Sequence, residues 1–227
     1  MKVAVLRFPG SNCDQDALHA LRDDMALAAE YVWHEADSLA GFDAVFIPGG
    51  FSYGDYLRCG AMASRAPVMD EVARFAREGR PVIGACNGFQ ILCEAGLLPG
   101  ALLANESQKF VCETVYLQAA NTTSIWTRGI DRLLRIPIAH GEGRYVCDEE
   151  TLQTLRGEDR VAFRYVGPHG ECTDEFNCNG SVDNIAGVLN EQGNVLGMMP
   201  HPERATKEIL GSTDGRLILR ALTLVRA

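Results

Sequence analysis

The sequence predicts an α/β fold: a mostly parallel, doubly wound sheet with helices on both faces and a mixed or antiparallel extension. Three observations carry that expectation. Short apolar runs and helical patterns alternate through the first hundred residues. The runs are apolar throughout, which is the pattern of strands covered on both faces. After about residue 110, two strand-like runs follow one another with no convincing helix between them, and there the parallel order is expected to end.

Taken in order, Val3 to Phe8 is an apolar, β-branched run closed by Pro9-Gly10, a buried strand. Asn12 or Asp14 then caps a helix whose apolar positions Leu18, Leu21 and Met25 share one face. Tyr31-Val32-Trp33 and Ala44-Val45-Phe46-Ile47 read as strands, the second stopped by Pro48-Gly49-Gly50. Val68, Val72, Phe75 and Ala76 recur at helical spacing, and Gly79 ends that helix. Pro81-Val82-Ile83-Gly84 begins another strand, and the chain re-enters helix from Asn87 to Cys93. Val111 to Leu117 and Leu133 to Ala139 are the strands of the extension, and Asp148 to Leu155 makes a short helix. Phe163-Arg164-Tyr165, Ile185 to Leu189 and Val195 to Met199 are again strands, and Leu217 to Val225 closes the chain as a helix. No repeat, low-complexity tract or linker interrupts this order, so residues 1–227 read as a single domain.

Composition narrows the function classes. The formal charge is -9, from 21 Lys+Arg against 30 Asp+Glu, and this argues against nucleic acid as a principal partner. No apolar stretch approaches the ~18 residues that span a bilayer, so no membrane role is expected. The opening run Val3 to Leu6 is too brief for the core of a signal peptide, and a cytoplasmic location follows as the expectation. The eight cysteines lack metal spacing: no C-x-x-C occurs, and Cys172 and Cys178 make a poor zinc half-site. They read as reduced thiols, mostly packed as small hydrophobes, with no metal site.

One cysteine is set differently. Gly84-Ala85-Cys86-Asn87-Gly88 has the form G-x-C-x-G between a strand and a helix, the thiol counterpart of the G-x-S-x-G elbow. Such a turn strains the nucleophile's backbone and presents its side chain above the carboxyl edge of the sheet, where open α/β folds bind ligands. A helix N-terminus favours a thiolate there, and the Asn87 amide is placed for a developing oxyanion. The competing reading is a packed thiol beside glycines that serve only the turn, and the motif alone does not separate the two.

A cysteine hydrolase also needs a base held by a third group. Of five histidines, His19 and His34 read as surface or structural and His169 lies in a turn. His140 follows a strand and is a rival. His201 has the best context, in Pro200-His201-Pro202-Glu203 straight after the last strand. Pro202 keeps His201 out of the α region, so Glu203 falls on the same side and can accept from the imidazole. Alone, this tripeptide reads more readily as a solvated loop before the last helix; its value comes from appearing with the elbow.

At Pro48-Gly49-Gly50, Gly84 to Gln90 and Pro200 to Glu203, in this order, the sequence resembles the class I (triad) glutamine amidotransferase family. That resemblance implies a flavodoxin-like sheet of the amidotransferase type. It implies Cys86 as nucleophile, His201 as base and Glu203 as its orienter. It also implies that Gln90 contacts glutamine and that the Gly50 and Asn87 amides form the oxyanion hole. Spacing alone does not single out Gly50. Phe8 to Asp14, Gly49 to Arg58, His140 to Tyr145 and Asn184 to Gly187 are similar to the purine-synthesis branch. By this likeness ammonia cut from glutamine passes to a large synthase subunit, helped by a small accessory subunit. ATP and Mg²⁺ are then expected on the partner and no cofactor in this chain, which has no G-x4-G-K-[ST] loop.

Two loops stay open as partner or substrate surfaces: Ser52, Tyr53, Asp55 and Arg58 in the first, His140, Glu142 and Arg144 in the second. Gly141-Glu142-Gly143 resembles a dinucleotide fingerprint only weakly, since Val146 stands where the third glycine belongs. The rivals are a glutaminase for a different synthase, a related cysteine hydrolase acting on another substrate, and a binding module in which the elbow is a relic.

Overall fold

A computed structural model describes residues 1–223. Its main sheet has nine strands in the order β2-β1-β3-β4-β11-β10-β9-β6-β7. Five form a parallel half: β1 (Lys2–Arg7), β2 (Ala28–Trp33), β3 (Ala44–Ile47), β4 (Val82–Ala85) and β11 (Val195–Met198). The others pair antiparallel: β10 (Ile185–Leu189), β9 (Val161–Val166), β6 (Val111–Ala119) and β7 (Leu134–His140). The predicted change from parallel to antiparallel order is present. Two three-residue strands, β5 (Ala101–Leu103) and β8 (Arg144–Val146), make a separate small ladder that the sequence did not announce.

The parallel half is covered on both faces, and its residues divide between two cores with a period of two. Val3, Val5, Phe46, Ile83 and Leu196 join one core; Ala4, Leu6, Val45, Ile47, Val82 and Val195 join the other. The first is closed by α1 (Asp14–His19), its π-helical continuation Ala20–Asp24, and α5 (Gly215–Leu219), through Leu18, Leu21, Ile218 and Leu219. The second is closed by α2 (Val68–Arg77), α3 (Asn87–Glu94) and α4 (Glu149–Gly157), through Val72, Phe75, Phe89, Leu152 and Leu155. Asp148 caps α4 by accepting from the Thr151 amide at 2.8 Å.

Two expectations need correction. Neither Asn12 nor Asp14 caps α1: the N-cap is Cys13, without a side-chain bond, and Asp14 is the first helical residue, its carboxylate accepting from the Gln15 amide at 2.8 Å and pairing with Arg7 at 2.6 Å. The closing helix is short, α5 giving way to a 3-10 turn over Arg220–Thr223, and the predicted end at Val225 lies outside the described residues. Among the described residues no helix is long and apolar enough to cross a membrane.

Candidate active site

The chain runs outward from β1 to β2 and returns on the other side at β3, so the sheet reverses its winding between β1 and β3. A crevice beyond the carboxyl ends of the strands belongs at such a point. A cavity of about 340 Å³ is found there, lined by residues that follow β1 (Asn12, Cys13), β3 (Gly50), β4 (Cys86), β7 (Gly141, Glu142) and β11 (His201). A larger hollow of about 930 Å³ sits at the other edge of the sheet, by Asp43, Pro81 and Asn194, and no cysteine or histidine lines it.

Cys86 stands between β4 and α3 with φ 51° and ψ -109°, a left-handed conformation that costs a side-chain-bearing residue about 1–3 kcal/mol. The surroundings enforce it. Its amide donates to Met198 O at 2.8 Å, and its carbonyl accepts from Phe89 and Gln90 in the first turn of α3. Gly88 lies so close to β3 that a Cβ there would stand 2.0 Å from the Ile47 carbonyl oxygen. The sulfur is almost covered but faces the cavity.

His201 has φ -101° and ψ 88°, extended as the following proline requires, and its amide donates to Pro137 O at 2.9 Å. Imidazole Nδ1 donates to Glu203 Oε1 at 2.6 Å, both side chains being buried. Nε2 has no partner at standard hydrogen-bond geometry, yet the ring interacts directly with the Cys86 sulfur. Burial alone would depress the histidine. Interactions with the Glu203 carboxylate and the Cys86 sulfur outweigh it and push the imidazole up to about 10. A Cβ on Gly49 would lie 2.7 Å from His201 Cε1 and 3.3 Å from both Cys86 Cβ and Cys13 Sγ, so these groups share one wall.

Gly50 has φ 126°, and Asn12 N and Oδ1 lie 2.6 and 2.8 Å from where its Cβ would be, which only glycine tolerates. Among the described residues the Gly50 and Asn87 amides donate to no acceptor. The Asn87 side chain ties the two segments together: its Oδ1 accepts from Ser52 N at 3.2 Å, and its Nδ2 donates to Gln90 Oε1 at 2.8 Å. Gln90 lines the cavity, but its Nε2 donates to Glu142 O at 2.6 Å, so both ends of its amide are engaged within the chain.

The open loops divide. Asp55, His140 and Glu142 line the cavity. Ser52 is buried beneath it, Tyr53 turns away to donate its hydroxyl to, or accept from, His34 Nδ1 at 2.8 Å, and Arg58 is exposed and paired with Glu94. Arg144 belongs to β8, with a buried Nε that lacks a partner. Several cavity residues were not singled out from sequence. Cys13 accepts from Arg204 Nη2 at 3.1 Å, and Arg204 also holds Asp16. Burial, against the pull of Arg204, pushes the Cys13 thiol up to about 12, so it faces the cavity as a neutral thiol. Burial and the Asp55 and Glu142 carboxylates likewise raise Cys59. Cys13 lies within the matched segment Phe8 to Asp14 and Arg204 directly follows Glu203, and these were the available signals. Among the described residues no group of His, Cys, Asp and Glu has the arrangement of a metal site.

The arrangement pairs a strained thiol with a carboxylate-anchored imidazolium and leaves two backbone amides free nearby, the parts acyl transfer requires. A family model described as CobB/CobQ-like glutamine amidotransferase domain matches residues 1–215. Among solved structures, a chain of PurLQS from Thermotoga maritima is similar at 44% identity and TM-score 0.85, covering 98% of this chain and 97% of that one. Two others share the fold at low identity. A protein from Thermoplasma acidophilum, described provisionally as one component of a GMP synthase, is 16% identical with TM-score 0.64, covering 98% and 92%. A glutamine amidotransferase from Thermotoga maritima is 14% identical with TM-score 0.58, covering 98% and 90%.

Proposed function

This chain belongs to the CobB/CobQ-like glutamine amidotransferase domain family, and from that premise we propose that it is the glutaminase subunit of phosphoribosylformylglycinamidine synthase. The observation that carries the reading is the 44% identity to a PurLQS chain over nearly the whole length of both. The partner is then a large synthase subunit with a small accessory subunit. On that partner ATP and Mg²⁺ act, and the ammonia made here converts formylglycinamide ribonucleotide to its amidine.

In the proposed reaction the Cys86 thiolate attacks the side-chain amide carbon of glutamine. The Gly50 and Asn87 amides hold the oxyanion, an interaction worth roughly 10²–10³ in rate per donor. His201 enters as an imidazolium, as its raised proton affinity favours, and gives its proton to the leaving nitrogen. A γ-glutamyl thioester and ammonia result. Once the sulfur is acylated its charge is gone, and with it one of the influences that holds the proton on His201. The freed imidazole then takes a proton from water, which attacks the thioester and releases glutamate. Glu203 keeps Nδ1 protonated, so Nε2 does both transfers.

The test is ammonia release from glutamine by this chain, alone and mixed with the candidate synthase subunits, together with amidine formation from glutamine and ATP. Glutamine-dependent amidine formation that needs this chain is the expected result. Stimulation by a different synthase, or none by this one, overturns the reading.

A further inference from the structure

Gly50 has few bonds of its own. Among the described residues its amide donates to no acceptor, and its φ of 126° is backbone that glycine alone adopts readily. Its direction is therefore set by its neighbours. Behind it the chain leaves β3 at Ile47. Ahead of it, Phe51 N donates to Gly10 O at 3.0 Å and Tyr53 N to Pro9 O at 2.6 Å, so the loop lies along the turn that follows β1. That loop is strained. Tyr53 (φ 54°), Asp55 (φ 55°) and Leu57 (φ 72°) are left-handed without being glycine, which is uncommon for such side chains. Conformations of this kind persist only where other contacts over-determine them.

At Tyr53 the side chain supplies such a contact. The phenol turns away from the cavity and reaches His34, directly after β2, where the hydroxyl and Nδ1 share a hydrogen bond at 2.8 Å. The two rings meet edge to face, with centroids 5.5 Å apart and planes at 80°. His34 is itself held from several sides. Its ring stacks on Phe8 at 6.2 Å and packs against Trp33 at 4.6 Å. Its carbonyl accepts from Val68 N, and its own amide donates to Arg7 O. Phe8 opens the same turn on which the loop lies, so His34 joins turn and loop from the outside. On the inner side the Asn87 carboxamide holds Ser52 N, and the Tyr53–His34 bond is its outer counterpart. Neither Tyr53 nor His34 lines the cavity, so neither is placed to meet a substrate.

We propose that Tyr53 and His34 are positioning residues: their hydrogen bond fixes the left-handed turn three residues beyond Gly50 and so aims the Gly50 amide at the oxyanion. The inference rests on the glutaminase reading and on Gly50 as an oxyanion donor. Without the bond the strained turn relaxes and the amide loses its direction, while the cavity that receives glutamine keeps its walls. The loss therefore falls on the transition state, where the oxyanion exists, and spares the ground state.

The experiment uses the chain assembled with its synthase partner. Tyr53→Phe and His34→Phe keep an aromatic ring and remove the bond from opposite ends; a third variant carries both changes. Each is assayed for ammonia release from glutamine and for alkylation of Cys86 by iodoacetamide, read on its own peptide. In both single variants kcat falls by about ten-fold while KM stays within about two-fold, a partial loss of what one oxyanion donor supplies. The double variant is no slower than the slower single one, because both changes remove one and the same bond. Alkylation keeps its wild-type rate, since displacement of iodide by the sulfur creates no oxyanion, and its extent counts the intact sites in each preparation. Unchanged kcat in both single variants overturns the proposal. So does a fall in kcat matched by slower alkylation, which places the disturbance at the thiol, or a rise in KM alone, which places it in binding. Effects that multiply in the double variant assign the two residues separate roles and overturn it as well. If one single variant fails to assemble, the other tests the same bond. A wild-type assembly that releases no ammonia from glutamine fails earlier, at the glutaminase reading itself.

Discussion

In the parallel half of the sheet the reacting groups sit on backbone with no room to shift. In the antiparallel half His140 ends β7, and its ring and the loop that follows are steered by side-chain amides. Cys86 is held between the Met198 carbonyl and the first turn of α3, and Gly88 touches the Ile47 carbonyl. His140 is steered instead by Asn105, and the loop around Gly143 rests on Asn105 and Asn179. The difference teaches a division of labour: Cys86 and His201 are fixed by backbone at strand ends, and the facing side of the cavity is shaped by a network of side-chain amides. Polar networks of this kind can be retuned one residue at a time, whereas the strand ends cannot.

That contrast can be broken from either side. Cys86→Ala removes the attacking sulfur and lowers glutamine-dependent ammonia release by several orders of magnitude, while ammonia-driven synthesis by the assembled partner continues. Assaying both activities on one preparation checks it. Glu203→Gln leaves His201 without its carboxylate, so its affinity for protons falls. The alkaline limb of the rate profile moves to lower pH, and kcat drops by roughly 10²–10⁴. A pH profile that keeps its alkaline limb in place would contradict the assignment of Glu203.

Stability measurements sharpen the comparison. Gly88→Ala forces a methyl against backbone and costs about 3 kcal/mol in urea unfolding, the upper end for overpacking. The antiparallel side has its own signature in pH. His140 is lowered to about 4 in the folded chain from 6.5, so the unfolded chain binds the extra proton between those values. Stability is then lost as pH falls from 6.5 towards 4 and no further below it, by on the order of 3 kcal/mol from this group. His140→Gln flattens that part of the curve, and an unchanged slope would show that the group is not buried neutral. Gly141→Ala, whose Cβ would meet only Phe110 at 3.7 Å, changes stability by less than about 0.5 kcal/mol.

How much could be read from sequence follows the same division. Strands of the parallel half were legible as continuous apolar runs: β1 and β3 stop at Pro-Gly and Pro-Gly-Gly, and the elbow and His-Pro-Glu follow β4 and β11. Cys86, His201 and Glu203 are brought together as the order of strands requires. Gly50 reached the list by resemblance alone, since nothing in spacing says which loop folds back over the thiol. β5 and β8 escaped notice because three residues show no period. Asn105, Cys59 and Arg204 escaped because their roles exist only in the folded contacts between distant loops. The helix cap failed for a different reason: the helix starts at Asp14 itself, so the boundary falls on Cys13, between the two expected caps.

The left-handed backbone at Cys86 bears on heredity as well as on chemistry. Alanine there would lose the reaction and keep the strain, whereas glycine would lose the reaction and shed it. A gene copy excused from its task would therefore gain robustness by one substitution at that codon. Among descendants that no longer cut glutamine, glycine at position 86 is the change that selection for folding alone would favour first.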